Sequence, residues 1–474
     1  MNISPAGGWR GQPIPAKPPI PERVITWILC ITFLYLAGHG SILIHQAQGN
    51  IAGGGMYAGI VNATSSNNHD WSEMLAAYSM LVISAFLALM QGRQIWRVFA
   101  QNKILSALIA LPLLSTVWSQ SPHVTLVSAV YLAGNYLFAA YLSTRFSAEE
   151  QADLFSVFGW VAILLSFALA MGFPDIGIDR REGLGAWQGM FVQKNSAAVC
   201  IVFLISAQLA QKKKALFGSI GRAVLLCLSV GLLILTQSRT GWIIFGVYLS
   251  FLALVRAGQR LGRSERLLFG TLASAAAIAV CTFAYLYAPL VLSFIGKDGT
   301  ITGRIPLWKA VSGTIARQLL TGYGYQAFWE GMHGGSADIQ LAVGWAASHA
   351  QNGFLDTLLG LGVLGFGLLI LTMLLGARDG WKSLKGGADL GVEWYLSIIL
   401  ITFICNLSER TIMYPHFIEW IMYMIACIGL SGKMQVVRSN GGAKPDGPGG
   451  LVPCSHTCFA DVTREASIPT PVTE

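Results

Sequence analysis

Four segments set charged and amide side chains beside apolar runs: residues 193–195 (QKN), 238–242 (SRTGW), 302–308 (TGRIPLW) and 348–356 (SHAQNGFLD). Arginine grips phosphate oxygens through a planar fork of donors, so Arg239 and Arg304 are suited to binding an anion. Lys194 stands just before an apolar run, where a helix N-terminus would add backbone donors for an anion. His349, with an imidazole that titrates near neutrality, can accept the proton of an attacking hydroxyl or align it, and Gln351 and Asn352 can orient hydroxyl groups beside it. Glu409, next to Arg410 and shortly after Asn406, sets a carboxylate beside a cation at a membrane boundary. Simpler readings stand beside these: Arg239 as a cation snorkelling from a helix end, Arg304 as the partner of Asp298, and Glu409 with Arg410 as charges that satisfy neighbouring helices. His39, His45, His123 and His416 have no motif around them and are read as structural.

The elements that carry these residues are dictated by composition. Of 474 residues, 54% are hydrophobic and 11% charged, against roughly 25% charged in soluble domains. That excludes a soluble globular enzyme. Continuous apolar runs of about twenty residues cross the hydrocarbon core as helices, since alternation would be needed for a barrel. The fold class expected is therefore all-α: a polytopic integral membrane protein of about twelve transmembrane helices. The spans are read at approximately 24–44, 73–92, 104–118, 124–142, 153–172, 195–210, 223–237, 240–255, 267–290, 353–375, 394–408 and 413–431. The third is short and holds Pro112, so it or its successor is a candidate to lie in the interface.

Domain organisation follows. Residues 1–23 are expected to be a disordered, proline-rich cytoplasmic tail, 24–290 to carry helices one to nine, 291–352 to form a large extracytoplasmic loop, 353–431 to carry helices ten to twelve, and 432–474 to be a second disordered cytoplasmic tail. Nine of the 31 Lys and Arg residues fall on the far side in this arrangement: Arg180, Arg181, Lys194, Arg239, Lys297, Arg304, Lys309, Arg317 and Arg410. The remainder lie inside, as the positive-inside rule requires. An anionic ligand on the far side accounts for the exceptions. The loop is longer than ordinary connections, and its aromatic string TGYGYQAFW is read either as a stacking surface or as an interfacial anchor. The eight cysteines form no disulfide framework, and Cys454, His456 and Cys458 in the tail lack a fourth ligand, so no metal site is expected. The spacing of the basic residues between apolar runs does not form a nucleic-acid footprint.

Taken as a set, the four segments resemble the O-antigen ligase and polymerase family of bacterial envelope glycosyltransferases, and most closely its exopolysaccharide polymerase branch. The resemblance runs from about residue 100 to about 430 and is strongest from 185 to 365. It implies a C-type glycosyltransferase fold in the bacterial inner membrane, with the active site facing the periplasm and neither metal nor other cofactor. It further implies a polyprenyl-pyrophosphate-linked oligosaccharide as substrate, with membrane lipid, chain-length regulators and export proteins as partners. Arg239 and Arg304 match the arginines of the family's motifs and inherit pyrophosphate binding, with Lys194 beside them. His349 matches the histidine at the loop-to-helix boundary, where family members often have a second histidine in place of Gln351. The family also has an acidic residue near Glu409, which makes Glu409 a further candidate for substrate contact.

Overall fold

The computed structural model describes residues 24, 26–32, 71–179, 185–191, 193–211, 218–260, 262, 265, 304–329, 334–384, 390–415 and 417–441, with the side chains of 71–77, 260 and 432–441 excepted. The first tail, residues 442–474 of the second, Arg180, Arg181, Lys297, Asp298, His39, His45, His416, the Cys454–His456–Cys458 string, the span expected at 267–290 and most of that at 24–44 lie outside these residues, while residues 432–441, expected in the second tail, continue the last helix. Among the described residues the helices are α1 (Trp71–Met90), α2 (Gly92–Gln101), α3 (Lys103–Ser115), α4 (Pro122–Arg145), α5 (Ala148–Gly172) and the short α6 (Pro174–Gly177). There follow α7 (Lys194–Ala210), α8 (Gly218–Leu235), α9 (Arg239–Arg260), α10 (Arg304–Ile315), α11 (Gly334–Val343), α12 (Gly353–Leu384), α13 (Leu390–Cys405) and α14 (Ile418–Gly441). One departure from an all-α fold is a two-residue antiparallel ladder, in which Ile178 pairs with Trp187 and Asp179 with Ala186.

The chain is a mostly helical membrane protein. Five helices, α4, α5, α8, α9 and α12, are long and apolar enough to cross a bilayer, or six with the pair α2 and α3, which meet at a 98° bend. Shorter apolar stretches occupy Tyr78–Met90, α7, α13 and Ile418–Ser431. The expected count of twelve thus exceeds what length and composition support among the described residues. Boundaries moved where polar groups find partners inside. Helix α13 starts at Leu390 rather than 394 because Glu393, 4% exposed, is satisfied by Arg256 at 3.2 Å and Gln259 at 3.0 Å. Helix α14 starts at Ile418 rather than 413, after a turn whose Pro415 carbonyl accepts from Asn135 Nδ2 at 2.6 Å.

Side-chain bonds fix the direction of each helix. Trp394 at the start of α13 donates to Ser206 near the end of α7 at 3.2 Å, and Arg256 near the end of α9 meets Glu393. Helices α7 and α9 are therefore antiparallel to α13, which places their N-termini at the end where α13 stops. That same end holds the start of α12, the start of α14, and residues 304–352. Arg97, Lys103, Arg145, Arg222, Arg256 and Lys382 lie at the opposite end. The bundle core is apolar and close packed, with Phe138, Phe155, Phe203 and Trp420 fully buried. Without a hydrophobic drive between helices in lipid, such packing and close backbone approach hold the bundle. A side chain at Gly241 of α9 would collide with Ala198 of α7.

Residues 304–329 and 334–352 form a second, smaller core: Leu307, Val311, Ile315, Phe328, Ile339, Ala347 and Ala350 close over Leu359 of α12. The aromatic string builds this cap from within. Phe328 sits edge-on to both Tyr323 and Trp329, whereas Tyr325, 3% exposed, packs into the bundle core and donates to the Met413 carbonyl at 2.5 Å. The cap is stitched to α12 by backbone bonds, Tyr323 N to Leu359 O at 2.9 Å, Gly324 N to Gly360 O at 3.0 Å and Val363 N to Leu319 O at 2.9 Å. These are possible because α12 breaks at Gly362 (φ 61°, ψ −163°), a conformation closed to side-chain-bearing residues.

Candidate functional site

The site is built where three chain segments converge: the first turn of α10, the 349–353 turn, and the 406–414 turn between α13 and α14. Arg304 opens α10 and is 6% exposed. Its Nε donates to Gln351 Oε1 at 2.7 Å and its Nη2 to Glu409 Oε1 at 2.7 Å. The remaining amino group has no partner among the described residues. Arg304 therefore pairs with Glu409, a residue 105 positions away in sequence; Asp298, the neighbour proposed from the sequence, lies outside the described residues.

The 349–353 turn is anchored at every position. Asn352 caps α12, its Oδ1 accepting from Phe354 N at 3.0 Å and Leu355 N at 3.1 Å, while its Nδ2 donates to Leu407 O at 3.1 Å. Asn352 is thereby committed to the backbone. Gly353 N lies 3.0 Å from both Asn406 O and Glu409 O, and Asn406 Oδ1 in turn accepts from Thr411 N and Ile412 N. Gln351 has φ 49°, in the left-handed region that side chains rarely adopt. That conformation turns its N–H back to His349 Nδ1 at 3.0 Å while its side chain reaches Arg304. His349 itself is partly exposed. Burial lowers its pKa to about 4; Asp356 opposes the shift, and Arg410 and Arg304 add to it.

Two residues outside the sequence-derived set complete the site. Asp356 accepts from Ala350 N with both oxygens at 3.1 Å and from Trp329 Nε1 at 2.8 Å, and Arg410 Nε lies 3.7 Å from it. Arg410 also bonds to Gln326 Oε1 and stacks over the Tyr414 ring at 4.6 Å. The available signals were slight: Arg410 adjoins Glu409, and Asp356 ends the fourth segment. A cavity of about 20 Å³ lies among Trp329, Asp356 and Arg410, room for about one water and too small for a sugar.

The segments that bear Lys194 and Arg239 meet at the same end of the bundle. Ser238 caps α9, accepting from Gly241 N at 3.3 Å, and donates to Asn195 Oδ1 at 2.8 Å. This bond joins the first two sequence segments. Lys194, on the first turn of α7, is 8% exposed, whereas Arg239 is exposed. Among the described residues no group of His, Cys, Asp and Glu could hold a metal ion.

Helix polarity brings Lys194, Arg239, Arg304 and the 348–356 segment to one end of the bundle. Residues 223–370 match the O-antigen ligase family. The chain is also 26% identical over 392 residues to the exopolysaccharide production protein ExoQ of Rhizobium meliloti (strain 1021), an alignment covering 78% of this chain and 85% of the relative. Both the family resemblance and its exopolysaccharide side are thus borne out. The matched stretch includes Arg239, Arg304, His349, Gln351, Asn352 and Asp356 and ends before Glu409 and Arg410.

Proposed function

We propose that this chain is a polymerase that joins oligosaccharide repeat units on the extracytoplasmic face of the bacterial inner membrane. A hydroxyl oxygen of one lipid-linked unit attacks the anomeric carbon of the glycan carried by another. The bond from that carbon to the pyrophosphate breaks, and its electron pair stays on the pyrophosphate oxygen. Arg304, through the amino group that has no partner among the described residues, Arg239 and Lys194 stabilise that negative charge, a role in which fixed donors in a site of low dielectric are most effective. Gln351 and Glu409 hold Arg304 in place, and His349 stands beside the reacting oxygens. The observation that carries this reading is the convergence of Arg304, Gln351, His349 and Glu409 at the bundle end that also bears Lys194 and Arg239.

The donor proposed is a polyprenyl-pyrophosphate glycan, and chain-length regulators and export proteins are the partners expected around it. Detergent-purified protein given lipid-linked repeat units should yield lipid-bound chains of two or more units. Recovery of single units alone, from a protein shown to be folded, would count against polymerisation.

The description of the matched family favours a second reading, a ligase that transfers finished glycan to lipid A-core. A deletion strain separates the two: accumulated single-repeat lipid intermediates indicate a polymerase, and long unattached chains indicate a ligase.

A further inference from the structure

The hydrogen bond between Gln351 and His349 has a fixed sense. A backbone N–H only donates, so His349 Nδ1 must present its lone pair at 3.0 Å. In a neutral imidazole the other nitrogen then carries the proton. Nε2 is therefore an N–H donor with no lone pair in the ring plane, and no protein group bonds to it among the described residues. We infer that His349 serves the donor side of the reaction as a neutral N–H donor from Nε2 to a pyrophosphate oxygen, beside Arg304, and is not the base that deprotonates the acceptor.

Three features of the surroundings agree. Arg304 and Arg410 both lie close enough to act electrostatically on the ring, so the space beside it favours an anion over a hydroxyl awaiting deprotonation. The third guanidinium amino group of Arg304 is likewise unpartnered among the described residues, so two donors are available to one phosphorylated group. The imidazole also resists protonation, held at a pKa of about 4 by burial against the opposing pull of Asp356. A neutral donor stabilises the departing pyrophosphate in the transition state without adding a further charge to retain the product.

The acceptor proton then needs another destination. As the oxygen bonds to an anomeric centre with oxocarbenium character, the hydroxyl becomes strongly acidic, and solvent water takes its proton after the carbon–oxygen bond has formed. No strong base is required. Asp356 is the positioning residue of this arrangement: by accepting from Ala350 N with both oxygens it fixes the turn that aims the ring.

Because the inference rests on the glycosyl-transfer reading, its test uses a readout that does not depend on turnover: titration of the purified full chain with inorganic pyrophosphate. Two variants separate donor from base. In His349→Asn the side-chain oxygen can accept from Gln351 N and preserve the turn, as Asn does in such turns, but nothing reaches the Nε2 position. In His349→Gln the amide nitrogen reaches that position. The Asn variant is expected to bind pyrophosphate about tenfold or more weakly, the loss typical of a hydrogen bond to a charged group, and the Gln variant within about threefold of the parent. Equal affinity in the parent and the Asn variant, or no pyrophosphate binding by the folded parent, would overturn the inference. So would polymer formation by the parent with an acid limb near pH 6 to 7 that both variants lose, since that limb would report a histidine base. If the parent forms no polymer yet shows the expected binding pattern, the polymerase reading fails and the assignment of Nε2 stands.

Discussion

Arg304 and Glu409 meet at 2.7 Å with both side chains only 7% exposed, joining the first turn of α10 to the turn between α13 and α14. A pair so enclosed is costly to form, because both charges leave water, and costly to break, because the survivor stays buried and unpaired. Glu409→Ala should therefore destabilise the purified protein by about 3 kcal/mol or more, and Glu409→Gln by less, since an amide oxygen can still accept from Nη2. Thermal unfolding of both variants and of Arg304→Ala/Glu409→Ala checks this: the double variant should be more stable than the sum of the single losses predicts.

The two arginines should separate by stability. Arg239 is exposed at a helix start, so Arg239→Ala should leave unfolding within about 0.5 kcal/mol of the parent while sharply reducing chain extension. Arg304→Ala should lose both. Lysine at either position should rescue only part of the activity, because an ammonium lacks the planar fork. Chelation of divalent metal should leave extension unchanged; abolition by a chelator with restoration by Mg²⁺ would show that arginine does not act alone.

His349 gives stability a pH dependence of known sign. Its pKa is about 4 in the folded protein against the ordinary 6.5, so between these values the unfolded chain binds the proton and the folded chain does not. Stability should fall as pH drops from about 6.5 to about 4, and His349→Asn should flatten that slope. Unfolding midpoints at pH 7, 6, 5 and 4 would reveal it. An equal slope in both proteins would show that the ring titrates normally.

Sidedness is open to a direct test. Reporter fusions near residue 330 should report the extracytoplasmic face, and fusions near Arg97 or Lys382 the cytoplasm. A cytoplasmic signal at 330 would invert the assigned face of the site.

Much of the architecture was legible because it is written in composition and periodicity. Helices α4, α5, α7, α9 and α12 fall where apolar runs do. The expected third span was weaker for a physical reason: Asn102 donates its side-chain amide to Val98 O at 2.9 Å and receives a bond from Ser431, at the 98° corner between α2 and α3. Residue types and motif order pointed to His349, Arg239 and Arg304, but types do not reveal partners. That Arg304 turns to Glu409, that Gln351 serves both the ring and Arg304, and that Asn352 is spent on capping are long-range or torsional facts. Tyr325 shows the opposite error: a ring that looks like a stacking surface in sequence is spent in the core of the bundle.

The break at Gly362 divides α12 into two lengths with different duties. From Val363 to Leu384 the helix rises about 33 Å at 1.5 Å per residue, enough by itself for a hydrocarbon core of roughly 30 Å. Residues 353–361 then stand as a post about 13 Å tall, with the His349 turn at its top and the cap laced to its side. Such a post is taller than the polar layer of one leaflet, roughly 5–8 Å. The reactive groups would then ride at the aqueous edge of the headgroups, so a long-chain carrier could present its glycan by sliding in the plane of the bilayer, its tail never leaving the oil. Gly362→Ala, which forces a Cβ into the Leu320 backbone, should cost about 1–3 kcal/mol and should tilt the post. Chain extension would then suffer through misregistry of depth, with every named side chain still in place.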